Sequence, residues 1–289
     1  MATTGDTQQQ EQEQDPLEFL GELFSKRDSD NDTDPNDSSA MTLIEHLEEL
    51  RWRIFKSLIA IAVFAVVAFI FRVQIMDFLT RPLPAAANAI GGKHKLVVTG
   101  IGEGFTTYLL LAIAGGFIAS LPVILYQTWA FVSPGLYQNE KKYAVPFIVV
   151  GMILFAAGLT LGYIVLQYPV NWLVTFSSDS FTELISVGSY FGFVALFLLA
   201  FGVVFEIPLV LTFLSLIGLI TAETLTRKRA TFHVGMWIAS CFLTPGADLY
   251  SPIFLGVSMS FLFELSVIFI KITTRIRERN EQNEREEIA

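Results

Sequence analysis

The run YFGFVALFLLAFGVVFEIPLVLTFLSLIGLI, residues 190–220, decides the fold class. It contains a single charged side chain, Glu206. As a helix it would reach roughly 45 Å at about 1.5 Å per residue, more than a hydrocarbon core of about 30 Å. The centre of the run, Phe205-Glu206-Ile207-Pro208, therefore sets a carboxylate near mid-membrane. A charge there costs about 2.5–3.5 kcal/mol on insertion scales and usually marks function. Pro208 has no N–H to give the carbonyl of Val204, so a kink is expected beside the carboxylate. The plain alternative is a protonated glutamate hydrogen-bonded to a neighbouring helix.

Further apolar runs flank this one, at about 55–71, 105–131, 143–168, 231–243 and 253–270. The chain is 53% hydrophobic and 16% charged, against about 25% charged for a soluble domain. The expectation is an all-α polytopic membrane protein with six spans, the last two short. The segment 72–104 is too polar and too broken to span, and 169–189 reads as a loop. The net charge of −9 belongs to residues 1–40, which hold eleven acidic and two basic residues. These form an expected disordered acidic tail with no cleavable signal pattern. The membrane domain is placed at 41–272 and a charged cytoplasmic tail at 273–289. Cys241, the one cysteine, sits in an apolar setting that suggests packing.

Thr42-Leu43-Ile44-Glu45 fits a capping box. Leu43, Leu47, Leu50 and Ile54 then form one apolar stripe, with Glu45, Glu48, Glu49, Arg51 and Trp52 on the other face. That is an amphipathic segment leading into the first span. Lys and Arg cluster at Arg51, Arg53 and Lys56, at Lys141 and Lys142, at Arg227–Arg229, and after Lys271. By the positive-inside rule both termini are cytoplasmic, in the plasma (inner) membrane.

The candidate chemistry lies in carboxylates. No phosphate-binding glycine loop is present, the three histidines lack a ligand-spaced partner, and no nucleophile signature occurs. No enzyme activity, cofactor, metal or nucleic-acid partner is expected. Glu45, Glu48, Glu49 and Glu140 lie at the expected cytoplasmic interface, Glu206 and Glu264 within the membrane, and Glu103 and Asp248 near the outer face. Interfacial carboxylates suit a basic ligand, because guanidinium groups bind carboxylates in bidentate geometry. They also suit simple pairing with their own neighbours.

His46-Leu47-Glu48-Glu49-Leu50-Arg51 resembles the opening signature of the TatC family, the multispanning core of the twin-arginine protein translocase. Pro82 and Glu103 are further motif positions. Leu121-Pro122 through Phe131, then Pro134, Leu136-Tyr137 and Glu140-Lys141-Lys142, resemble its second span and following loop. Phe205-Glu206-Ile207-Pro208 resembles its fourth-span motif. Leu243-Thr244-Pro245 with Asp248, and Phe263-Glu264, resemble its C-terminal hairpin. The turn here reads Thr-Pro-Gly-Ala-Asp where the family usually has Thr-Pro-Pro-Asp.

The resemblance implies a receptor for the twin-arginine signal peptides of folded precursor proteins. It places signal recognition at Glu49 and Glu140, beside Leu50 and Arg51. It places docking of small single-span TatA/TatB-type subunits at Glu206 and Pro208. Contact with membrane lipid, self-association in a complex and transport driven by the proton motive force are implied with it. The alternative from the residues alone is a proton-coupled carrier of a small solute using Glu206, whose hallmark would be two matched halves. None stands out.

Overall fold

The computed structural model describes residues 43–83, 96–132, 144–176, 184–246 and 248–288. The chain divides into two units, residues 1–49 and 50–289. The described part of the first unit is the helical opening of α1 (Leu43–Ile70). Among the described residues, ten helices make up the regular structure: α1, α2 (Arg72–Leu79), α3 (Glu103–Val132), α4 (Ala144–Val165), α5 (Gln167–Phe176), α6 (Val187–Val204), α7 (Ile207–Leu216), α8 (Ala222–Arg227), α9 (Arg229–Leu243) and α10 (Tyr250–Ile288). One isolated parallel bridge joins Val97 to Ser186.

Five stretches are long and apolar enough to cross a membrane: Ile44–Ile70, Glu103–Phe131, Ala144–Phe176, Val187–Leu216 and Tyr250–Ile276. This is an all-helical multi-pass membrane protein. The short apolar segment before the last span is α9, whose 15 residues rise only about 22 Å. The last apolar run is short in sequence, but its helix is not: α10 has 39 residues and continues through the charged segment to Ile288. The stretch expected to be a loop after residue 168 is helical as far as Phe176. Pro169 is tolerated there because it sits in the first turn of α5. Cys241 is exposed on α9 rather than packed.

Lipid tails are as apolar as leucine, so close backbone approach holds membrane helices together. The tightest seam is α4 against α6. Gly151, Gly158 and Gly162 fall on one face of α4. A Cβ on Gly158 would lie 2.6 Å from the carbonyl oxygen of Phe201, and one on Gly202 would lie 2.7 Å from the Phe155 ring. Phe201 lies in the seam and is fully buried, as are Phe191 and Phe197 of the same helix. A second close approach joins α1 to α3, where a Cβ on Gly116 would meet the Ala65 backbone at 2.6 Å. Gly256 of α10 admits Trp237 of α9 in the same way, at 2.9 Å.

Tyrosines tie α2 to this bundle. The Tyr190 hydroxyl donates to the Leu79 carbonyl at 2.8 Å, and Tyr163 to the Phe78 carbonyl at 2.9 Å. Both carbonyls end a short helix and lack a partner within it. Pro82 is half-buried in the turn that follows, where Leu83 N–H donates to the Thr80 carbonyl.

Candidate functional site

The break in the Glu206 helix occurs at the expected place. α6 ends at Val204, Phe205 and Glu206 form a turn, and α7 restarts at Ile207 with Pro208 in its first turn. Proline suits that position because a first-turn N–H has no helical acceptor. Val210 N–H still reaches the Glu206 carbonyl at 2.9 Å, so the chain bends without opening. Glu206 lies about 28 Å along the helix from Val187 and about 15 Å before Leu216, nearer one end than mid-span.

Both carboxylate oxygens of Glu206 are sealed from solvent and have no hydrogen-bond partner among the described residues. Among the described residues, no neighbouring helix gives it the hydrogen bond of the plain alternative. The carboxylate lies instead beside Gly151 of α4, where a Cβ would stand 3.3 Å from Oε2. Leu125 of α3 and Leu209 of α7 close the same recess and belong to one apolar cluster with Leu121 and Phe155. An unmatched buried acceptor costs about 1–3 kcal/mol, which a donor from another chain would recover.

The other membrane carboxylate is already satisfied. Glu264 of α10 accepts from Arg229 Nε at 2.5 Å, lies in a second ionic contact with the same guanidinium, and meets His233 Nε2 at 2.8 Å. His233 thus has a partner that no histidine spacing could show, because Glu264 lies 31 residues away. Arg229 and His233 are four apart on α9 and so share one face, which was the available signal.

Glu103 and Asp248 hold the end of the bundle where α3, α6 and α10 begin. Glu103 Oε2 accepts from Thr99 N at 2.5 Å, Thr99 Oγ1 at 2.8 Å and Gly100 N at 3.2 Å, while Oε1 accepts from Gly188 N at 2.8 Å. Val97 exchanges bonds with Ile185 and Val187 alongside. Glu103 therefore clamps the segment before α3 onto the N-terminus of α6. A Glu103→Ala variant is expected to raise amide hydrogen exchange at Gly188 and Thr99 about tenfold or more, since those donors lose their acceptor. Exchange mapped by mass spectrometry checks this, and unchanged protection would refute the clamp.

Asp248 is buried and caps α10, accepting from Ser251 N and Ser251 Oγ, both at 2.6 Å. The one extra residue of the turn leaves this cap intact. Pro122 sits within an unbroken α3, and Phe131 is half-buried near its end.

In the first unit Glu49 is half-buried, with His46 Nδ1 4.0 Å from its Oε2; Glu45 and Glu48 are exposed. In the second unit Leu50 is half-buried and Arg51 exposed. Pro134, Tyr137 and Glu140 lie outside the described residues. Sequence reasoning missed Gly151 as a wall for Glu206, and Arg229 and His233 as the partners of Glu264. The spacing of Gly151, Gly158 and Gly162 was a legible sign of a small-residue face.

Comparison with known proteins agrees with this architecture. The family model described as Sec-independent protein translocase protein (TatC) matches residues 45–257. The protein of that name from Desulforapulum autotrophicum is 37% identical over 239 residues, covering 82% of this chain and 87% of its own. Its counterpart from Carboxydothermus hydrogenoformans is 36% identical over 232 residues, covering 80% and 93%. The crystal structure of a twin arginine translocase receptor, TatC, superposes with a TM-score of 0.68 at 32% identity, covering 80% of this chain and all of that one. Motif order, helical architecture and these likenesses agree: the chain belongs to the TatC family, as a non-enzymatic component of the Sec-independent protein translocase.

Proposed function

We propose that this chain is the receptor that binds twin-arginine signal peptides on the cytoplasmic face of the inner membrane. Glu49 and Glu140 supply the two carboxylates for the arginine pair, and Leu50 and Arg51 flank the first of them. What carries the reading is the family membership together with the acidic opening of α1, where Glu45, Glu48 and Glu49 stand at the start of the first span. A similar solved structure is described as a twin arginine translocase receptor, which supports it. α9 supplies the sixth crossing, short and tilted, so that both termini face the cytoplasm.

Glu206 is the proposed docking group for a polar side chain on a TatA/TatB-type single-span helix. Its unmatched oxygens in an apolar recess give it a use for an outside donor. Because those oxygens are sealed, docking requires the side chain to turn out past Gly151 or the α4–α7 seam to part. Folded precursors then pass through the assembled complex under the proton motive force.

The direct test is co-purification of the full chain with a twin-arginine signal peptide against a twin-lysine control. Lysine keeps the charge but loses the bidentate fork, so retention is expected to fall about tenfold or more. Equal retention of the two peptides would remove the recognition claim.

A further inference from the structure

A cleft of about 450 Å³ opens where α7 ends, α8 begins and α10 leaves the apolar zone. Leu216, Ile220 and Ile270 make part of its lining apolar. Its polar side chains are Thr212, Ser215, Thr221, Glu223, Thr273 and Thr274. Neither the Glu206 recess nor the acidic opening of α1 contributes to it.

The polar wall is rich in acceptors. The hydroxyl protons of Thr273 and Thr274 are given to the carbonyls of Phe269 and Ile270, each at 2.9 Å, so these side chains offer lone pairs to a ligand. Thr221 Oγ1 already accepts from Thr224 N at 3.2 Å. Glu223 is exposed and has no ion pair or hydrogen bond among the described residues. The C-terminal end of α7, with its turn at Gly218, adds the negative end of a helix dipole. Hydroxyl lone pairs, a carboxylate and a helix C-terminus repel phosphate and select a cation with several N–H donors. A primary ammonium fits, with three donors in a compact head.

Position selects the source of that ammonium. The cleft lies where the span Val187–Leu216 ends and near the end of the span Tyr250–Ile276, which is where lipid headgroups meet a membrane protein, and its lining is largely apolar. Lys271, next in sequence to the lining residue Ile270, is exposed and offers a cation to a lipid phosphate. We propose that this cleft is a binding site for a phosphatidylethanolamine-type phospholipid. Its ammonium is held by Glu223 and the threonine oxygens, and its glycerol end rests against Leu216, Ile220 and Ile270. Such a lipid would tie α8 and the Arg227–Arg229 segment to the membrane surface beside α10.

The test is lipid retention by the full chain in nanodiscs, read by native mass spectrometry. The bilayers hold phosphatidylglycerol with equal amounts of phosphatidylethanolamine and phosphatidylcholine of matched chains. Choline presents the same charge without an N–H donor. Wild type is expected to retain phosphatidylethanolamine about tenfold over phosphatidylcholine. Glu223→Gln and the cleft-filling Ser215→Leu are each expected to abolish the preference. Glu223 is exposed, so its variant keeps the fold, and thermal unfolding of both variants verifies that. Added glycerophosphoethanolamine should compete only weakly, because it lacks the acyl chains. Equal retention of the two lipids, a preference that survives Glu223→Gln, displacement by glycerophosphoethanolamine at equal concentration, or displacement by a lysine peptide in place of lipid would each overturn the proposal.

Discussion

Export of a twin-arginine reporter is expected to fall to background when Glu49 and Glu140 are both changed to alanine in cells that depend on this chain. A charge-assisted hydrogen bond contributes about 1.5–3 kcal/mol, so the loss of two such contacts lowers signal affinity about a hundredfold or more. Each single variant should retain intermediate activity, since one carboxylate still holds one guanidinium. Glu45→Ala is the informative control, since Glu45 is a further carboxylate, exposed, on the same segment. The readout is processed reporter outside the inner membrane, normalised to the amount of chain in it. Wild-type export by the double variant would end the assignment of these residues as the recognition pair. Equal damage from Glu45→Ala would reduce it to a general effect of negative charge.

The second large effect lies in packing. Gly158→Val is expected to prevent the α4–α6 seam from closing. The first atom added would stand 2.6 Å from the Phe201 carbonyl oxygen and 2.8 Å from Phe205 Cβ and Cγ. A backbone oxygen cannot move aside like a flexible side chain, so the helices must separate. Overpacking typically costs about 1–3 kcal/mol, and this site belongs at the upper end because fully buried Phe201 shares the seam. The turn at Phe205-Glu206 lies against the same glycine, so displacement there also moves the Glu206 carboxylate. Gly192→Ala on α6 is the matched control, having no heavy atom within 4 Å of the added carbon. Size-exclusion profile and thermal unfolding in detergent separate the two. A monodisperse Gly158→Val protein as stable as the Gly192→Ala protein would show that the seam tolerates more than its geometry allows.

Much of this architecture was readable from single stretches. An apolar run of membrane length must be a helix in lipid, because every backbone N–H and C=O needs a partner within the segment. Pro208 fixed the bend at Glu206 for an equally local reason. The family motifs were also local, and they led to the right family. Other features were not local. Glu206 and Glu264 look alike in sequence, each a lone acid in an apolar run. Among the described residues one has no donor and the other is held by Arg229 and His233, and that difference depends on what packs opposite.

The same division holds for the remaining acids. Glu103 and Asp248 could have been ligands by type and position; each is instead engaged in backbone hydrogen bonds that start or join helices. Only the folded chain could show this, because Gly188 lies 85 residues from Glu103. The sequence by itself determined a multi-helix membrane protein, the location of its bend and the family to which it belongs, since helix formation in lipid and motif spacing are properties of contiguous residues. The tertiary structure decided which carboxylates remain available, because availability depends on the donors that distant helices bring within about 3 Å.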